Sequence, residues 1–153
     1  EISSHVIVKG PTKIGDSNKV YQFATVGDDT PDLKYKGEKT ELVIGNNNTI
    51  REGVTIHRGT IQDKGITSIG NNNLFMAYAH IGHDCTIGDN IIMTNNAAIS
   101  GHVTVGDWAI LSGFAAVHQY VRLGPHCFIG PTAFVYHDVP AFVTVAGLSL
   151  IHI

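Results

Sequence analysis

The chain has 153 residues, of which 43% are hydrophobic and 15% charged, with a formal net charge of −3 at pH 7. That length supports one domain with its own core, and a sparsely charged, net negative chain lacks the basic stripe a nucleic-acid binder needs. No apolar run of about 18 residues appears, and no basic segment leads into an apolar one, so neither a membrane span nor a signal peptide is expected.

From the first residues a bulky apolar side chain returns every six positions: Ile2, Val8, Ile14, Val20 and Val26, then Ile44, Ile50 and Ile56. From Ile69 the ladder runs unbroken through Phe75, Ile81, Ile87, Met93, Ile99, Val105, Leu111, Val117, Leu123, Ile129 and Val135. A period of six suits neither a helix nor simple strand alternation. It suits short strands joined by tight corners and wound into a solenoid, one flat face per hexad. Glycine follows many ladder residues, as in Ile81-Gly82 and Val105-Gly106, and Asn or Asp often comes next. These types tolerate the positive φ of a sharp corner, which is the role expected of them. The pattern resembles the hexapeptide repeat of left-handed parallel β-helices, with three hexads to a coil, so the expected fold is all-β and the handedness comes from that resemblance.

Two stretches interrupt the ladder. Between Val26 and Ile44, Asp32 and Glu38 occupy positions that should be apolar, and between Ile56 and Ile69 the spacing is one residue too long. Both segments, near 28–41 and 57–68, are expected as loops leaving the coil, where repeat scaffolds often carry ligand contacts. Cys85 and Cys127 are too few and too far apart for a disulfide framework or thiolate metal site. They share a phase with Ala97, Val103, Ala109 and Ala115, which predicts small core residues and suits a reducing cytoplasm.

Ile81, Ile99 and Val117 are 18 residues apart and should stack in successive coils. Each neighbours a polar cluster, so His83, His102 and His118 are predicted to form a column with steps of about 4.8 Å. His83 lies next to Asp84, which can fix its tautomer, and is the candidate general base. Gly101, one coil above, has no side chain and can bring its N–H close to an oxyanion. This combination suits direct acyl transfer from a thioester to an alcohol, since no Ser or Cys has the surroundings of a covalent nucleophile. A different class also stands open here, a γ-carbonic-anhydrase-like metal site on His80, His83 and His102.

At these residues the sequence resembles the acyl-ACP–UDP-N-acetylglucosamine O-acyltransferases, which act at the first step of lipid A biosynthesis. The matching segments include Asp32-Leu33-Lys34-Tyr35, Thr55-Ile56-His57-Arg58-Gly59-Thr60, His80-Ile81-Gly82-His83-Asp84-Cys85, Gly101-His102-Val103 and Val117-His118-Gln119. The resemblance implies that His83 deprotonates the glucosamine 3-hydroxyl, that Asp84 supports it, and that the Gly101 amide holds the oxyanion. It further implies that Asp32, His80, His102 and Gln119 contact the sugar nucleotide, and that Lys34 and His118 line the same cleft. It implies a cytoplasmic homotrimer with sites between subunits, no cofactor and no metal. Acyl carrier protein is the implied donor, and Lys34, Arg58 and Arg122 are candidates for docking it.

The sequence also departs from the family. Pro131 stands where the acyl-length ruler has glycine, with Phe128 nearby, so a shorter or differently routed acyl chain is expected. The β-helical domain is assigned to residues 1–147. Further coils before Glu1 and the family's C-terminal helical domain are expected to be absent, and residues 148–153 match nothing in it. An N-acyltransferase of the same pathway and an inactive fragment are the remaining alternatives.

Overall fold

In the computed structural model, which describes residues 1–147, three parallel sheets of seven, six and seven short strands wrap around one apolar core. The architecture is a left-handed parallel β-helix, and no α-helix occurs among the described residues. Accordingly no helix there is long and apolar enough to cross a membrane. The ladder explains the winding. His80–Ile81 pairs with Ala98–Ile99 and then with Ala116–Val117, residue over residue, so 18 residues make one coil. Ile56, Ile81 and Ile99 point inward and are fully buried. Residues four places after ladder positions from Ile81 onward, Cys85, Ala97, Val103, Ala109, Ala115 and Cys127, fill the corners of the same core.

The corners differ from the expectation in one respect. Apart from Gly27, the glycines that follow ladder residues are not the positive-φ residues. That conformation falls two positions later, on Asn47, Asn72, Asp84, Asn90 and His102, and even on Tyr78, Trp108, Phe114 and Tyr120. The glycines are needed because the next coil passes too close for a side chain. A Cβ on Gly82 would lie 2.7 Å from the Gly101 nitrogen.

Buried amides brace the lower coils. Asn48 receives the Asn73 N–H on its Oδ1 and donates through Nδ2 to the Gly70 carbonyl, while Asn18 Oδ1 takes the Asn48 N–H. Each coil thereby satisfies the corner groups of its neighbour instead of leaving them orphaned in the core.

The two interruptions leave the winding intact. Residues 29–40 lie between strands Thr25–Asp28 and Glu41–Ile44, and residues 58–65 between Thr55–His57 and Ile66–Ile69. Pairing of Val26 with Ile56 and of Ile44 with Ile69 continues across them. Both segments emerge after a strand of the sheet that also holds His80–Ile81 and Ala98–Ile99. They leave at the corner that in later coils carries His83-Asp84, Gly101-His102 and Gln119-Tyr120.

Candidate active site

The register revises the predicted histidine column. Spacings of 19 between His83 and His102 and 16 between His102 and His118 are not multiples of a coil, so the three occupy adjacent columns. Gly82, Ser100 and His118 stack in one, His83, Gly101 and Gln119 in the next, and Asp84, His102 and Tyr120 in the third. The result is a staircase in which His83 and His102 meet edge to face, with ring centres 4.9 Å apart. His118 stands off from them, exposed, its ring beside Tyr136. Gln119 is exposed as well.

Asp84 anchors the site. Its side chain is fully buried, and Oδ2 accepts from His83 Nδ1 at 2.9 Å and from the Thr60 hydroxyl at 2.6 Å. The Thr60 N–H also reaches both carboxylate oxygens. Burial alone would push this carboxyl up, but the bonds from His83 and Thr60 outweigh it together and hold it below its ordinary value. A carboxylate kept ionised in this way holds the His83 Nδ1 proton and leaves Nε2 as the open acceptor. The imidazole lies flat where a residue-101 side chain would be. A Cβ on Gly101 would come within 2.6 Å of His83 Nε2. Gly101 N–H donates to no acceptor among the described residues.

His80 stands one step earlier, half-buried, with Nδ1 2.8 Å from the Thr55 hydroxyl. Burial, reinforced by the neighbouring His57 and His83, lowers its pKa to about 4, so it is neutral at physiological pH. Cys85 points into the core, as its phase predicted. Burial pushes its thiol up to about 12 and its Sγ donates to the Ser100 carbonyl, so it is no nucleophile.

Segment 29–40 bears Asp32 and Lys34. Asp32 Oδ1 accepts the Lys34 N–H, a local turn that fixes the carboxylate's direction. Neither side chain bonds to the histidines among the described residues. The link is indirect, through the Asp29 carbonyl on His57 Nδ1 and the His57 ring 5.4 Å from His80. Arg58 holds this segment down, and here the expectation of a docking cation is corrected. Its guanidinium is 6% exposed and is bound to Asp29, the Gly27 carbonyl and the Tyr35 hydroxyl, so it is not available at the surface. The signal that sequence reasoning missed is the pairing of Arg58 with two polar residues of the preceding loop.

Phe128 and Pro131 are exposed and lie away from the histidines. Phe128 continues an outward row on another sheet, in register with Leu74, Ile92 and Ile110. One chain therefore does not bring them to the staircase. The potential metal-binding cluster in the described residues is His83, Asp84 and His102, not the histidine trio with His80. Its Asp84 oxygens are already engaged by His83 and Thr60. The 148–153 tail lies outside the described residues.

Comparison with known proteins bears on the whole of this arrangement. The bacterial transferase hexapeptide family (six repeats) matches residues 66–101. A curated acyl-[acyl-carrier-protein]–UDP-N-acetylglucosamine O-acyltransferase of Saccharophagus degradans is 64% identical over 146 residues, covering 95% of this chain and 57% of the relative. The chain spans just over half the length of the curated relatives it matches. Among solved structures, LpxA from Acinetobacter baumannii is similar at 48% identity and a TM-score of 0.95, over 96% of this chain and 57% of that one. The UDP-N-acetylglucosamine acyltransferase of Francisella novicida superposes with a TM-score of 0.87 at 38% identity, over 97% of this chain and 67% of that one. With the hexad coil, the corner loops and near-complete coverage of its own length, this chain belongs to the UDP-N-acetylglucosamine O-acyltransferase family.

Proposed function

We propose that the chain transfers a 3-hydroxyacyl group from acyl carrier protein to the 3-position of UDP-N-acetylglucosamine, the first step of lipid A biosynthesis, in the cytoplasm. The observation that carries this reading is the His83 imidazole, pinned at Nδ1 by a buried carboxylate and laid against Gly101. His83 Nε2 takes the proton of the sugar hydroxyl as its oxygen attacks the thioester carbonyl. The oxyanion of the tetrahedral intermediate forms beside the spare N–H of Gly101. Collapse expels the carrier thiolate, which receives the proton back from His83.

Asp32, His80, His102 and Gln119 hold the sugar nucleotide in this reading, with Lys34 and His118 along the cleft. Neutral His80 suits the hydrogen-bonding part of that task. Lys34 and Arg122 remain as docking cations for the acidic carrier protein, without Arg58.

The chain works as a homotrimer with each cleft shared by two copies. Support comes from the outer faces of the sheets. One presents Leu74, Ile92, Ile110 and Phe128, and a second presents the small residues Ala98 and Ala116 below Phe134. The third is polar, with Ser68, Thr86, Thr104 and Arg122. A neighbouring copy is what brings Phe128 and Pro131 towards the histidine staircase. There they shorten the space for the acyl chain, and a panel of acyl-ACPs should show preference for shorter chains; preference for the longest overturns that part.

The test of the reaction is an acyl-transfer assay with UDP-N-acetylglucosamine and 3-hydroxyacyl-ACPs. His83→Ala should lower kcat by about 10²–10⁴-fold. Unchanged turnover rules out His83 as the base.

A further inference from the structure

A second carboxylate–imidazole pair stands beside the first. Asp63, in segment 58–65, places Oδ2 2.7 Å from His102 Nδ1. The His102 ring is also packed on two further sides. Its face stacks on Tyr120 at 4.3 Å and 6°, its edge meets His83 at 90°, and its side chain is 8% exposed. The segment that delivers Asp63 is itself tethered, through Thr60 to Asp84 and through Lys64 Nζ to the Thr86 hydroxyl. One short loop thus supplies a bond to each half of the site: Thr60 to the carboxylate behind His83, and Asp63 to His102.

A carboxylate on Nδ1 fixes the imidazole tautomer, leaving Nε2 as the ring's free acceptor. Free imidazole carries its neutral proton mainly on the other nitrogen, so Asp63 sets a form that His102 would not adopt alone. We propose that Asp63 is a positioning residue. It holds His102 as the Nδ1–H tautomer so that Nε2 accepts a hydrogen bond from a second hydroxyl of the sugar nucleotide, next to the one His83 deprotonates. This rests on the sugar-nucleotide reading of the site. The task is orientation of the bound sugar, and the proton transfer itself stays with His83.

Two measurements separate this proposal from the reading it rests on. Nitrogen-15 correlation spectra of the imidazoles, recorded at alkaline pH, report the tautomer without any substrate. Wild-type protein should show His102 as the Nδ1–H form, Asp63→Ala should move it to the Nε2–H form, and Asp63→Asn should restore Nδ1–H because the amide oxygen still accepts. In the transfer assay Asp63→Ala should raise KM for UDP-N-acetylglucosamine about tenfold with kcat within about threefold, and Asp63→Asn should recover most of the loss. A His102 that stays Nδ1–H in Asp63→Ala overturns the proposal, whether or not the protein transfers acyl groups. A kcat loss equal to the KM effect, or an Asn variant no better than Ala, overturns it too. A tautomer switch in Asp63→Ala together with no transfer to UDP-N-acetylglucosamine by the wild type overturns the assigned sugar contact and the functional reading together, leaving only the Asp63–His102 pair.

Discussion

His80 shows what burial does to a single side chain here. Its folded pKa of about 4 lies below the ordinary value of 6.5, so between those limits the unfolded chain binds a proton that the folded chain refuses. Stability is therefore complete above about pH 6.5 and falls as the pH drops towards 4, by roughly 3 kcal/mol at most. Asp84, with its carboxyl held low, adds a loss in the same direction at still lower pH. Denaturant melts across this range should show the slope, and His80→Gln should flatten the part above pH 4; a slope unchanged in that variant assigns it elsewhere. His80 and His83 were legible in the sequence because their neighbours Ile81 and Asp84 gave them an address. Asp63 and Thr60 were not, since their partners lie 39 and 24 residues away and no periodicity links a loop to a coil. The predicted column was displaced for a related reason. A position near the right rung is not the same rung, and one residue of phase moves a side chain to the next column.

Among the elements, the two corner segments behave differently from the strands that flank them. Strand positions followed from the hexad, because inward residues must alternate with corners at fixed intervals. Segment 29–40 has no period, so its clasp by Arg58 was invisible and the guanidinium read as a surface charge. Its burial beneath Asp29 and Tyr35 ties that segment to the coil. Arg58→Ala should open residues 29–40 locally and speed tryptic cleavage at Lys34 and Lys36 by on the order of tenfold, while the coil itself melts cooperatively as before. Cleavage no faster than wild type shows that other contacts hold the segment. The corner glycines teach the same lesson at smaller size. Their cause is the backbone of the next coil, and a residue-by-residue reading of turn preference assigns them to φ instead.

For the whole molecule, the coil accounts for a continuous core but leaves apolar side chains outside it. Ile92 and Ile110 face outward in register with Phe128, and a soluble surface has no use for such a row. If a second copy covers it, Ile110→Glu should convert trimer to monomer in sedimentation velocity without unfolding the chain, and activity should fall with the trimer. A variant that remains trimeric places the interface on another face. The continued register across both corner segments carries a last consequence. Since the strands after residues 40 and 65 find the same partners they would have met with no interruption, length and composition of the protruding chain are decoupled from the winding that displays it. The scaffold works as an index rail with interchangeable inserts. Grafting a different 58–65 segment should alter what His102 and Asp84 touch while leaving every rung below and above where it was.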